Sequence, residues 1–216
     1  MSQVRRLLAL ALVLGLAGTS AALAARGEPQ ERFTPADLAR AKTMLVRAAD
    51  LGPAFATSPP GTSDSDFYCR ALDESDLTIT GKAESPRFSA GISFVTSTAY
   101  VYESLADSNA SWQRGTSAAG QRCLRDGLRR ELRRTNVELR SFGKLAFPRL
   151  GRRSVLYRAV AVQERARIYL DLLAVQQGRA QAAVILGSGL AAPPRSVELQ
   201  LGRLLAARMA RAMRTP

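Results

Sequence analysis

The sequence predicts an α+β fold, an antiparallel sheet of about five to seven strands with three main helices packed on it. Three observations carry the prediction. Residues 154–187 hold two long runs rich in β-branched and aromatic residues and a shorter third, joined by short turns, which is the pattern of an antiparallel meander. Leu124, Leu128 and Leu132 recur every four residues in 118–134. In 197–213, Val197, Leu201, Leu204, Leu205, Met209 and Met213 line one side of a helix whose other side carries Arg203 and Arg211. With 216 residues the chain suits one domain with a substantial core.

Taken in order, Arg5-Arg6, the apolar run 7–16 and Ala22-Leu23-Ala24 read as a secretory signal peptide over 1–24. An uncleaved anchor is the alternative, although the apolar run is short for a membrane span. Thr19 stands where a lipobox after Leu16-Ala17-Gly18 would need cysteine, so no lipid anchor is expected there. Residues 25–33 read as a polar leader, and 34–216 as a single α+β domain. Thr34-Pro35-Ala36-Asp37 supplies an N-cap, a proline at the first helical position and a first-turn acid, so a helix starts there; Gly52-Pro53 is expected to end it. Residues 54–66 form a turn-rich loop, 77–80 a strand, and 88–102 one bent strand or two short ones after a break at Ser85-Pro86. A short helix over 107–112, the longer one over 118–134 and a strand over 137–147 lead into the meander.

Turn centres at Glu164-Arg165 and Gln177-Gly178 would set the meander's register. They place Arg158 opposite Asp171 and Leu172 opposite Ala183. One face then carries Val155, Tyr157, Ala159, Ala161, Ile168, Leu170, Leu172, Ala183 and Ile185, an apolar surface that helices must cover. The other face is mixed: Arg158 and Asp171 form a cross-strand charge pair with Arg167 and Tyr169 nearby, read either as a structural ion pair or as the polar floor of a ligand groove.

The formal charge is +13, and all but three of the 31 basic residues are arginine, a bias of GC-rich coding as much as of function. The total still favours anionic envelope polymers or lipid head groups as partners. Aromatic residues make up 6% of the chain and form no stacking motif, which with export argues against nucleic acid. The chain has no histidine, removing histidine-based nucleophile systems, His-ligated metals and histidine general bases; no catalytic residue, metal site or cofactor is assigned. Gly187-Ser188-Gly189 is followed by Pro193-Pro194 rather than a helix, so it is not a dinucleotide turn, and Ser141-Phe142-Gly143-Lys144 lacks the companion motifs of serine acyl enzymes. In an oxidising compartment Cys69 and Cys123 are expected to pair. That would hold Asp64, Asp66, Asp73, Glu74 and Asp76 beside Arg122, Arg125, Arg129 and Arg130. Trp112 is read as a core anchor.

The run Leu72 to Gly81, the segment Ser97 to Ser104 with Asp107 and Trp112, and Arg122-Cys123-Leu124 together resemble the exported sensor-type domains of actinobacteria, such as the ectodomain of the PknH kinase and the LpqN lipoproteins. The resemblance spans roughly Phe33 to the C-terminus and implies a PsbP-like sheet flanked by helices, with a binding cleft over the sheet. The expectation is therefore a secreted or cell-envelope, sensor-like ligand-binding module without catalysis. Arg158, Tyr169 and Asp171 are expected to hold an amphiphilic or anionic ligand. An envelope scaffold acting through the basic helices, and a carboxylate-dependent hydrolase, are the alternatives.

Overall fold

The computed structural model describes residues 27–59, 68–189 and 191–214; the expected signal peptide falls outside them. The chain is α+β; the described residues form nine strands in one mostly antiparallel sheet and four α-helices. The strands are β1 (Gln30–Glu31), β2 (Ala56–Ser58), β3 (Thr78–Glu84), β4 (Arg87–Ala90), β5 (Ser93–Tyr102), β6 (Glu138–Leu145), β7 (Arg153–Gln163), β8 (Ala166–Gln177) and β9 (Ala180–Gly189). The helices are α1 (Pro35–Met44), α2 (Leu105–Thr116), α3 (Ala118–Arg134) and α4 (Arg195–Ala212). The main path runs β1-β3-β5-β9-β8-β7-β6, with β4 on the edge of β5 and β2 on β4. The expected polar leader contributes β1, which joins β3 in parallel. Among the described residues no helix is long and apolar enough to cross a membrane.

Alternation along the strands gives two faces, and helices cover both. On one face α1 and α4 bury Ala41, Met44, Leu201, Leu205 and Met209 against Val95, Val101, Val175, Val184 and Leu186. On the opposite face α3 sets Leu132 against Ala159, Ala161 and Leu170, while Trp112 of α2 packs on Val155 and Tyr157 as the expected core anchor. The face expected to be mixed is therefore largely the main core.

The β7–β8 register is the expected one, with Arg158 opposite Asp171 and Glu164 at the turn with φ +57°. The second turn is displaced. Gln177 pairs with Ala180 and Leu172 with Ile185, so the turn centre is Gly178-Arg179 rather than Gln177-Gly178. Gly178 then occupies the first central position with φ +58°, as a primed turn with leading glycine requires. A two-residue shift preserves parity, so every side chain keeps its expected face. It also projects Arg179 from the turn. Its guanidinium donates to both Asp37 oxygens at 2.8 Å, and Thr80 Oγ1 donates to Asp37 Oδ2 at 2.6 Å, tying α1 to the sheet.

Helix α1 starts as expected, with Thr34 Oγ1 accepting from Asp37 N at 3.2 Å, but it ends at Met44, well before Gly52. Leu45 turns to extended backbone, and the Val46 N–H donates to buried Ser97 Oγ at 2.9 Å. Burying Leu45 and Val46 in the sheet core outweighs another helical turn.

Candidate functional site

Two polar constellations lie on opposite faces of the sheet, and the sequence singles out only the first. Arg158 of β7 donates from Nε to Asp171 Oδ1 and from Nη2 to Asp171 Oδ2, each at 2.7 Å. Nη2 also reaches Glu198 Oε1 on the first turn of α4 at 2.6 Å, and Arg195 donates to Glu198 Oε2 at 2.8 Å. Asp171 is 0% and Glu198 1% exposed. Burial pushes the Glu198 carboxyl up, with Asp171 beside it adding to the rise; the hydrogen bonds to Asp171 push the Arg158 guanidinium up. Tyr169 stands half-buried in the same β8 strand. Thus the structure does bring Arg158 and Asp171 together, but it spends the guanidinium on two buried carboxylates that lock α4 onto the sheet.

The second constellation lies across the sheet, where α2 leaves the central strands β5, β9 and β8 partly open. A cavity of about 260 Å³ is lined by Glu28, Glu74, Tyr100, Tyr102, Ser111 and Gln181. Its floor is Ala174 and Ala183, whose short side chains leave the space open. Tyr100 and Tyr102 are alternate residues of β5 and so share a face, and Gln181 of β9 pairs directly with Tyr100. Ser111 comes down from α2, which begins at an N-cap, Ser104 Oγ accepting from Asp107 N at 3.0 Å.

Glu74 is placed by several restraints. Cys69 and Cys123 form the expected disulfide, Cα atoms 6.1 Å apart, which pins the start of its loop to α3. Arg114 forks onto Asp76 at 2.6 and 2.7 Å and donates to the Asp73 carbonyl at 2.6 Å. The Glu74 N–H donates to the Gly27 carbonyl at 2.8 Å, joining the loop to the segment that carries Glu28. The carboxyl then meets the Tyr102 hydroxyl at 3.2 Å, and that hydroxyl also reaches Ser111 Oγ at 2.7 Å. Burial pushes the Glu74 carboxyl above the usual carboxylate range, against the opposing hydrogen bonds of Ser111 and Tyr102 and the charge of Arg114. Burial likewise raises the Tyr100 phenol, and Glu84, Glu28, Glu74 and Glu31 raise it further.

The expectation that the disulfide would set the acids against the α3 arginines needs correction. Asp76 pairs with Arg114 of α2, and Asp73 accepts from Tyr68 and Ser75, whereas Arg125 and Arg129 pair with Asp126 within α3. The reason is reach: Arg114 lies on the helix that faces the acidic loop, while Asp126 engages Arg125 and Arg129 within α3. Asp64 and Asp66 fall outside the described residues. Gly187-Ser188-Gly189 and Ser141 to Lys144 lie within β9 and β6, so neither forms a phosphate or nucleophile loop. Among the described residues no three His, Cys, Asp or Glu side chains converge for a metal.

Sequence reasoning missed the cavity because its parts come from six separate segments. Two signals point towards it: the alternation Tyr100-x-Tyr102 and the position of Glu74 close after Cys69. A comparison with models of known protein families finds no match, and neither does a comparison with curated proteins.

Proposed function

We propose that the chain is an exported, sensor-like ligand-binding module of the cell envelope, and that it works without catalysis. Its ligand sits in the cleft of Tyr100, Tyr102, Glu74, Ser111 and Gln181. One observation carries this reading: on a sheet whose two faces are otherwise covered by helices, tyrosine, glutamate, serine and glutamine side chains line a cavity with alanines for a floor. A preformed concavity with apolar walls and a few polar groups is the usual form of a small-molecule site. The volume, about 260 Å³, is at the small end of such sites and favours a compact ligand or the end of a longer one.

The test is native mass spectrometry of the non-reduced protein recovered from cells that export it. A discrete added mass that disappears in Ala183→Leu, where the new side chain fills the floor, supports the cleft. A mass retained in that variant places the ligand elsewhere.

A second reading, an envelope scaffold that docks anionic polymer, draws on α3. That helix carries six arginines against Asp126 and Glu131. It predicts binding to an anionic polymer that falls steeply with salt and is indifferent to Ala183→Leu.

A further inference from the structure

The cleft's lining is unusual for this chain in one respect: its charged groups are acids. The chain carries a formal charge of +13, yet among the described residues no lysine or arginine lines the cavity. Two carboxylates, Glu28 and Glu74, do line it, and Glu31 and Glu84 lie close enough to act electrostatically on Tyr100. The nearest basic groups are already engaged. Arg114 is forked onto Asp76, and Lys82, which pairs across the strands with Tyr100, is held 3.6 Å from Glu31.

A separate feature gives the same sign. Gln181 donates its amide nitrogen to the Ser108 carbonyl at 2.7 Å. A carbonyl can only accept, so this bond fixes the orientation of the amide and leaves its oxygen, beside one remaining N–H, open to a ligand. That oxygen has no partner among the described residues, and neither does the Tyr100 hydroxyl. The Tyr102 hydroxyl is occupied between Glu74 and Ser111. A ligand entering here meets two carboxylates and an amide oxygen beside Tyr100 and Tyr102, and one that brings donors satisfies them.

We propose that the cleft binds the primary ammonium group of a small organic cation. The proposal rests on the ligand-binding reading above and names its ligand class. An ammonium group supplies three N–H donors for the Glu74 carboxylate, the Gln181 amide oxygen and the Glu28 carboxylate. Its positive charge is attracted to the faces of Tyr100 and Tyr102, and the alkyl chain covers Ala174 and Ala183. An anionic head group would face Glu28 and Glu74 with no cation to offset them. Glu74 must be ionised to serve as the counter-ion, and burial raises its pKa. Affinity therefore rises with pH through the range where Glu74 loses its proton, and bound cation in turn makes that proton easier to lose.

The test compares three ligands with one chain and different heads: n-butylammonium, n-butanol and butyrate, each titrated into the ¹⁵N-labelled, disulfide-bonded protein while backbone amide shifts are followed. The expected result is that butylammonium shifts the amides of Tyr100, Ser111 and Gln181 and binds at least roughly tenfold more tightly than butanol. Butyrate leaves those amides in place. Glu74→Gln, which keeps the shape and the acceptor towards Tyr102, removes the preference for ammonium over alcohol without altering the fold. Butanol or butyrate binding as tightly as butylammonium at the same amides overturns the ammonium assignment and leaves the cleft. If none of the three moves a cleft amide while an added mass persists in Ala183→Leu, the ligand-binding reading of this cleft fails as well.

Discussion

The two polar constellations are made of similar side chains and do opposite things. On the α4 face, Asp171 and Glu198 are buried with Arg158 between them, and every charge has a partner within 2.7 Å. On the α2 face, Glu74 stands half-buried beside a phenol and a hydroxyl, and Arg114, whose charge reaches it, is forked onto Asp76. A closed set of charges holds elements together; a carboxylate at the wall of a cavity is the kind of group our proposal gives to a ligand. The contrast shows that a charge pair readable from strand register is an indication of architecture, because the pairing that makes it readable also uses it up.

The largest effect expected from breaking the comparison is at Arg158. Arg158→Ala leaves buried Asp171 uncompensated and Glu198 with Arg195 alone, and is expected to destabilise the fold by about 3–5 kcal/mol, read as a shift in denaturant midpoint. Replacing Arg158, Asp171 and Glu198 together by apolar residues of similar volume recovers most of that loss, whereas a ligand-binding floor would offer no such recovery. Next is the disulfide. Cys69→Ser with Cys123→Ser is expected to cost about 2–4 kcal/mol and, by releasing the loop that holds Glu74, to weaken ligand retention as well.

The acid limb of stability sharpens the contrast through sign. Burial would raise the Asp37 carboxyl, but its hydrogen bonds from Arg179, Thr80 and Arg40 hold it far below the usual carboxylate range. Its stabilisation is fully present above the pKa of an unfolded aspartate and is lost as pH falls towards its depressed folded value. Asp37→Asn therefore reduces the slope in a stability profile taken below pH ~4, with Asp50, likewise held down by Arg208, supplying part of the remainder. Glu74 behaves in the opposite sense. Its folded pKa is raised, so its contribution is complete below the unfolded glutamate pKa and is lost as pH rises through the folded one. Glu74→Gln is accordingly expected to stabilise the empty protein at neutral pH by about 0.5–1 kcal/mol and to leave it unchanged near pH 3. This is the smallest of the effects, and thermal unfolding at the two pH values measures it.

Much of the fold was legible because it is local. The β7–β8 hairpin, α3 with its leucine spacing and the Thr34 cap of α1 each follow from a few adjacent residues, and all three stand where the sequence places them. The end of α1 was not legible, since it depends on Ser97, fifty-one residues away, accepting from Val46. The displaced turn at Gly178-Arg179 was missed for a similar reason: two registers of equal parity bury the same faces, and the choice between them involves Arg179 reaching Asp37. β1 is two residues long and exists only because β3 offers it an edge. The cleft is the extreme case. Its acids come from the segment before β1 and the loop before β3, its tyrosines from β5, its hydroxyl from α2 and its amide from β9. No window of the sequence contains more than two of these parts, whereas Arg158 and Asp171 face each other across a single hairpin.

The central claim, that the ligand belongs in the Tyr100 cleft and not beside Arg158, is tested most directly by native mass spectrometry of three proteins recovered from cells that export them: the parent, Ala183→Leu and Tyr169→Phe. The account predicts an added mass in the parent and in Tyr169→Phe, and none in Ala183→Leu. An added mass kept in Ala183→Leu and lost in Tyr169→Phe, or a parent protein that carries none, would contradict it.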